Sequence, residues 1–110
     1  MIAPPPLIVL NDANFEDEVL GSNLPVLVDF TASWCEPRHQ ITPLVRSIAG
    51  EYAGRVKVGT IEVDRNPEMK RRFAIRALPT VIVFEQGRRK AQFVGVTGRE
   101  RILQMLGLAE

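Results

Sequence analysis

Two short apolar runs constrain the fold of this chain more than any other feature of its sequence. One run spans residues 26–30 and reads Val-Leu-Val-Asp-Phe, and the other spans residues 80–84 and reads Thr-Val-Ile-Val-Phe. An almost continuous apolar run rich in β-branched residues is typical of a strand covered on both faces, because a half-solvated strand alternates apolar and polar residues. The sequence therefore predicts two buried strands. Asp29 is the one charged residue in either run.

The segments around these runs predict alternating strands and helices. Apolar residues recur at helical spacing from Ile41 to Tyr52, and Pro43 lies inside this pattern, where a proline bends a helix. A turn at 85–88 makes the last strand antiparallel to its neighbour. The remaining elements are strands at 7–10, 56–63 and 90–94, a helix capped by Asn11 or Asp12 and ended by Gly21, a helix at 67–73, and a final helix after a capping box at 97–100. The order β-α-β-α-β-α-β-β-α predicts an α/β fold with a central mixed sheet flanked by helices.

Length and composition predict one domain. A chain of 110 residues has the usual size of a compact domain. Three consecutive prolines within residues 1–6 predict an extended N-terminal arm, and residues 7–110 then form the domain. The N-terminus lacks the basic start and the long apolar stretch of a secretory signal, so we expect a cytoplasmic protein without a membrane partner.

The charge pattern argues against a nucleic-acid partner. The net charge is only +1, and the basic clusters lack the interleaved aromatic residues that stack on bases. We expect these clusters to form a solvated surface. They contain Arg71, Arg72, Arg88, Arg89 and Lys90.

The single cysteine, Cys35, limits the covalent chemistry of the chain. With one cysteine, no internal disulfide and no cysteine-based metal site can form, so any disulfide joins another molecule. A free cysteine is usually a small buried hydrophobe. Cys35, however, follows a buried strand and precedes Pro37, which fits the first turn of a helix. At a helix N-terminus the unpaired N–H groups and the helix dipole favour the reactive thiolate, so we expect Cys35 to be a nucleophile.

The stretch from residue 28 to residue 38 resembles the active-site segment of the thioredoxin family, whose usual motif is Trp-Cys-Gly-Pro-Cys. Here residues 34–38 read Trp-Cys-Glu-Pro-Arg. The resemblance extends over residues 7–108 and implies a thioredoxin fold. Further matches lie at the expected distances, namely Pro43, residues 63–67, residues 77–80, Gly87 and Gly95.

The resemblance implies how a substrate is bound and attacked. The counterpart of Cys35 attacks a substrate disulfide and forms a mixed disulfide. The counterpart of Pro79 is a cis-proline that faces the cysteine, and the peptide beside it pairs with the substrate backbone as an added strand. The implied substrate-binding residues are Trp34, Pro37, Leu78, Pro79 and Gly95.

Arg38 stands where the resolving cysteine of the family belongs. A second thiol in the same molecule would resolve the mixed disulfide at a very high effective concentration, and this chain lacks it. We therefore predict a monothiol exchange protein that acts on protein disulfides or glutathionylated cysteines and needs an external thiol such as glutathione. Arg38 can bind a carboxylate of glutathione or of an acidic partner, or it can be a solvated surface residue. No cofactor or metal is predicted.

The resemblance also points to Asp29, whose family counterpart is a buried carboxylate that moves protons to and from the second cysteine. That thiol is absent, and Thr60 stands where many members carry a lysine. Burial without the lysine predicts a raised pKa for Asp29. Two roles remain open, a structural remnant and a proton-transfer group for water or glutathione.

Two further functions are compatible with these residues. The fold could be a redox-inactive binding module that holds a partner protein in the groove between Trp34 and Pro79. Alternatively, Cys35 could be a redox sensor that is oxidised or that links two chains, so that a reduced monomer becomes a disulfide-linked dimer.

Overall fold

The computed structural model describes residues 7–36 and 38–108, and the N-terminal arm predicted at residues 1–6 lies outside them. The described strands are β1 (Leu7–Leu10), β2 (Val26–Thr31), β3 (Lys57–Glu62), β4 (Thr80–Glu85) and β5 (Arg88–Val94). They form one sheet in the order β1-β3-β2-β4-β5. Strands β1, β3 and β2 are parallel, whereas β4 is antiparallel to both β2 and β5, so the predicted mixed sheet is confirmed.

Within the described residues, three α-helices and two shorter helical segments flank the strands, and the last α-helix follows the last strand. Pro43 lies inside the α-helix Arg38–Glu51, as the sequence pattern predicts, and the bend there stays a prediction. The α-helices are α1 (Arg38–Glu51), α2 (Pro67–Arg72) and α3 (Arg99–Met105), and the shorter segments are a π-helix (Glu16–Leu20) and a 3-10 turn (Val63–Arg65).

The π-helix Glu16–Leu20 differs in type and in capping from the helix predicted for this segment. The Gly21 N–H donates to the Glu16 carbonyl at 2.8 Å, which is the wider π-helical bond. The apolar spacing from Phe15 to Val19 fits either helix type, so the sequence does not distinguish them. The Asn11 side chain accepts hydrogen bonds from the N–H groups of residues 13 and 14, just before the π-helix. The Asp12 carboxylate instead accepts hydrogen bonds from the N–H groups of residues 68 and 69 and so caps α2.

The capping box predicted at 97–100 is wrong. Helix α3 has Gly98 as its N-cap, with no side-chain cap bond. The helix begins one residue later than a Thr97 cap requires, so Thr97 and Glu100 fall out of the reciprocal register that a capping box needs.

Two apolar layers cover the two faces of the sheet. The aromatic layer lies on the side of α2 and the π-helix, and the aliphatic layer lies on the side of α1 and α3. All six residues of β2 are buried, which confirms the prediction of a strand covered on both faces. Phe15, Phe30, Phe73, Phe84 and Cys35 belong to the aromatic layer; Leu27, Ile41, Val45, Ile48, Val81 and Ile102 belong to the aliphatic layer.

Candidate active site

Cys35 lies in the connection between β2 and α1, three residues before the first residue of the helix. Its backbone N–H donates to the Ala32 carbonyl at 3.0 Å, which fixes the turn after the strand. The residue is only 3% exposed and belongs to the aromatic layer. The sequence-based placement of Cys35 next to a helix N-terminus therefore agrees with the structure. Pro37 and the side chain of Arg38 lie outside the described part of the chain.

Residues 77–79 precede β4 and are called here the docking segment. The peptide bond between Leu78 and Pro79 is cis. Leu78 is half-buried and packs against the same aromatic layer that contains Cys35. Thr80 Oγ1 donates to the Ala77 carbonyl at 2.6 Å and holds the segment to the start of the strand. The structure thus brings the docking segment and Cys35 to one end of the sheet.

Gly95 follows the last residue of β5, beside the docking segment. Its N–H donates to the Pro79 carbonyl at 2.8 Å. Its φ of 101° belongs to a region that favours glycine, and a Cβ atom there would point into open space. Val94 and Val96 on either side of it are exposed apolar residues that the sequence reasoning did not single out. An apolar surface therefore continues outward from the docking segment.

Trp34 is 66% exposed, so packing does not explain its large apolar ring. Its indole N–H donates to Asp64 Oδ2 at 2.5 Å, and the Asp64 N–H donates to Glu62 Oε1 at 3.0 Å. This contact ties the segment before Cys35 to the 3-10 turn after β3. Sequence reasoning matched residues 63–67 to the family without giving Asp64 a role, because the contact spans 30 positions.

Asp29 lies inside the protein, between Thr60 of β3 and Val81 of β4 in strand register. The residue is fully buried, and its Oδ2 accepts a long hydrogen bond of 3.5 Å from Thr42 Oγ1 of α1. Its Oδ1 has no hydrogen-bond partner among the described atoms. Burial raises the pKa of Asp29 to about 7, and the Thr42 hydrogen bond opposes the rise. The direction of the shift agrees with the rise predicted for a buried carboxyl without a neighbouring lysine.

Thr42 is a site residue that sequence reasoning missed. It is half-buried, and it also lines a surface cavity of about 480 Å³ on α1 together with His39, Pro43, Arg46 and Ser47. The available signal was a hydroxyl residue directly after Ile41 in the apolar pattern of α1. Thr42 therefore contacts the buried Asp29 carboxyl and also lines a cavity at the protein surface.

Other kinds of site find no support in the described residues. Within 7–36 and 38–108, no group of three or more histidine, cysteine, aspartate or glutamate side chains could hold a metal ion. In the same ranges, no helix has the length and apolar character required to cross a membrane.

Comparison with known proteins identifies the family. The family model described as Thioredoxin matches residues 6–107. This chain belongs to the thioredoxin family. The thioredoxin of Thiocapsa roseopersicina is 49% identical over 80 residues, covering 73% of this chain and 88% of that protein. The thioredoxin of Rickettsia bellii is 39% identical over 97 residues, covering 88% of this chain and 92% of the relative.

The thioredoxin of Acidithiobacillus ferridurans is likewise 39% identical, over 100 residues that cover 91% of this chain and 93% of the relative. The matches span nearly the whole lengths of the relatives and of the described fold. The family resemblance inferred from residues 28–38 and the spaced landmarks is therefore confirmed, and so is the thioredoxin fold.

Proposed function

We propose that this thioredoxin-family protein exchanges thiols and disulfides through the single nucleophile Cys35 and relies on an external thiol to complete each turnover. The observation that carries the proposal is the position of Cys35, which belongs to the same buried layer as Leu78 of the docking segment. The sequence holds no second cysteine. Relatives of nearly equal length are thioredoxins, which supports thiol–disulfide chemistry in general.

The proposed reaction has three exchange steps that balance. The Cys35 thiolate attacks one sulfur of a substrate disulfide, a Cys35–substrate disulfide forms, and the other substrate cysteine leaves as a thiolate. A glutathione thiolate then attacks the Cys35 sulfur, which releases the second substrate thiol and leaves glutathione on Cys35. A second glutathione attacks that disulfide, so glutathione disulfide leaves and the Cys35 thiolate is restored. Two glutathione molecules are oxidised for each substrate disulfide reduced.

The external thiol is needed because position 38 holds arginine. A well-oriented thiol in the same molecule acts at an effective molarity of roughly 10⁵–10⁸ M, which glutathione in solution does not approach. The mixed disulfide therefore persists until an external thiol arrives. A guanidinium at position 38 can form paired hydrogen bonds with a glutathione carboxylate, which favours this reductant. The cycle fits a glutathione-rich compartment such as the cytoplasm.

Substrate docking uses the surface around the docking segment. The substrate backbone pairs beside Leu78 and Pro79 as an extra strand, and Trp34 and Gly95 complete the described part of the binding surface. The role of Pro37 in substrate binding stays a prediction, because this residue lies outside the described residues. Gly95 supports this role because its N–H holds the Pro79 carbonyl and its Cα faces open space. A docked chain can therefore approach the backbone closely at this position.

A single-turnover experiment tests the proposal. Reduced protein is mixed with one equivalent of a peptide disulfide, quenched with acid and analysed by mass spectrometry, with and without glutathione. We expect the wild type to accumulate a Cys35–peptide disulfide that glutathione resolves. Arg38→Cys should release the reduced peptide without glutathione, and Cys35→Ser should form no adduct. The proposal fails if the wild type forms no adduct or releases peptide unaided as fast as Arg38→Cys.

The burial of Cys35 favours a second candidate, a redox-inactive binding module. The thiol-bearing residue is 3% exposed, whereas Trp34 and Val96 on the same surface are 66% and 43% exposed. A module of this kind would hold a partner protein in the groove between Trp34 and Pro79 without bond exchange. Alkylation by iodoacetamide distinguishes the two. A Cys35 that reacts only after unfolding supports the binding module, and rapid reaction of the folded protein contradicts it.

A further inference from the structure

A second cavity lies at the C-terminal end of α2 and is called here the basic pocket. Its volume is about 330 Å³, and its described lining residues are Pro67, Lys70, Arg71, Ala74, Ile75 and Arg76. Three of these residues carry a positive charge, and none carries a negative charge. Arg71 was predicted to be part of a solvated surface. In the structure it also lines a cavity together with two other cations, Lys70 and Arg76.

The backbone after α2 fixes the shape of this pocket. The Ile75 N–H donates to the Lys70 carbonyl at 3.0 Å, and the Ala74 N–H donates to the Arg71 carbonyl at 3.1 Å. Together with the φ of 53° at Ala74, these bonds form a Schellman motif, which is a fixed end of a helix. Because Ile75 is buried, the backbone is held in place directly before Arg76.

The cations of the basic pocket differ from the arginines next to them. Arg72 pairs with Glu16 at 3.6 Å and lies over the Phe73 ring, and Arg89 also lies over this ring and donates to Gln92. Among the residues that the structure describes, the side chains of Lys70, Arg71 and Arg76 have no hydrogen bond, ion pair or ring contact. Their charges are thus available to a ligand.

The basic pocket adjoins the docking segment through the chain itself. Arg76 precedes Pro79 by three residues, so their Cα atoms are at most about 11 Å apart. An extended peptide advances about 3.3 Å per residue, so three or four residues of a docked chain span about 10–13 Å, which is comparable to this separation. The docking segment and the basic pocket can therefore form one continuous binding surface for a peptide.

We propose that the basic pocket binds an acidic segment of the protein partner that docks beside Pro79, a few residues from the partner's reactive cysteine. The partner's identity as a disulfide substrate rests on the proposed function, whereas the charge preference of the pocket does not. Arginine side chains bind carboxylates through paired hydrogen bonds, and complementary charges also accelerate association. The pocket therefore selects acidic partners for this surface.

Titrations followed by amide chemical shifts test this proposal without any disulfide. The probe is a cysteine-free peptide of alternating glutamate and glycine, and the comparison peptide carries glutamine in place of glutamate. We expect the acidic peptide to shift the amides of residues 70–77 and to bind the wild type at least about tenfold more tightly than the neutral peptide at low salt. This preference should disappear in high salt.

Charge reversal locates the effect. The double variant Arg71→Glu/Arg76→Glu should lose about tenfold in affinity for the acidic peptide, and Arg71→Gln/Arg76→Gln should lose several-fold. The matched control is Arg46→Glu/Arg88→Glu, which makes the same change in net charge at two exposed arginines outside the pocket. Equal losses in the control and in the pocket variants overturn the proposal, because they would show only a net-charge effect.

Three further outcomes are decisive. If inorganic phosphate at equal concentration causes the same shifts, the pocket is a general small-anion site and the proposal is wrong. If both peptides bind equally, it is also wrong, even when Cys35 forms the adducts expected of an exchange protein. Conversely, a charge preference in a protein whose Cys35 forms no adduct supports the pocket and rejects the exchange function.

Discussion

The two faces of strand β2 have opposite chemical character. Val28 and Phe30 point into the aromatic layer, where Phe73 lies 5.3 Å from Phe15 and 5.1 Å from Phe84, measured between ring centroids. The opposite face carries Asp29, whose Oδ1 has no partner among the described atoms. By strand alternation Thr31 lies on the same face as Asp29, and its buried Oγ1 is also without a described partner.

The two faces of β2 therefore contribute to the stability of the fold in opposite directions. Tilted and edge-to-face ring pairs add packing energy to a dry layer, which favours the folded state. A buried polar atom without a partner costs about 1–3 kcal/mol, so the face with Asp29 lowers the stability of the fold. Buried groups of this kind, with a strongly shifted pKa, are concentrated at functional sites. The face of β2 that carries Asp29 is therefore the face whose electrostatics change with pH, whereas Cys35 belongs to the aromatic layer on the other face.

The largest expected effect tests the aromatic layer. Phe30→Ala should lower the free energy of unfolding by about 3–5 kcal/mol, because it opens a cavity among packed rings. Phe93→Ala is the matched control, since Phe93 of β5 is only half-buried, and it should lose clearly less. Urea unfolding measures both variants. Equal losses would show that the aromatic layer has no special weight in stability.

A smaller effect is expected from the pH dependence of Asp29. Because burial raises its pKa from 3.8 to about 7, the folded state retains a proton that the unfolded chain releases between these values. The free energy of unfolding should therefore fall by about 1.4 kcal/mol per pH unit as the pH rises through this window. This contribution is complete below about pH 4 and lost above about pH 7.

Asp29→Asn removes this titration. Wild type should lose roughly 3 kcal/mol relative to this variant between about pH 4.5 and 6.5 in urea unfolding experiments. Asp17→Asn, at an exposed aspartate, is the matched control and should give a nearly constant difference. A flat profile for Asp29→Asn would mean that the two faces of β2 do not differ in electrostatics.

The smallest effect concerns the hydroxyl groups. Thr31→Val should raise the free energy of unfolding by about 1 kcal/mol, because it replaces with a methyl group a buried hydroxyl that has no partner among the described atoms. Thr80→Val should lower it by about 1 kcal/mol, because Thr80 Oγ1 donates to the Ala77 carbonyl. Thermal or urea unfolding gives both signs. A destabilised Thr31→Val protein would show that this hydroxyl has a partner after all.

Sequence reasoning found the elements whose signals are local and missed those that depend on distant residues. The buried runs predicted β2 and β4 to within one residue, and the family motif led to Cys35, Leu78 and Pro79. Asp12 was one of two candidate caps for the first predicted helix, the other being Asn11, yet its carboxylate caps α2, 56 positions away. Thr42 was missed for the same reason, because only the packing of α1 on β2 brings it to Asp29.

The sequence by itself determined the order of strands and helices and the limit of one thiol. Both follow from local properties, since apolar periodicity reports which faces are buried and a missing cysteine cannot be supplied by folding. Only the tertiary structure decided how far the pKa of Asp29 rises, the contact of Trp34 with Asp64, and the separation of the cations at 70, 71 and 76 from carboxylate partners. These properties depend on burial and on distances between segments far apart in the chain, and the packing of the sheet and its helices sets both.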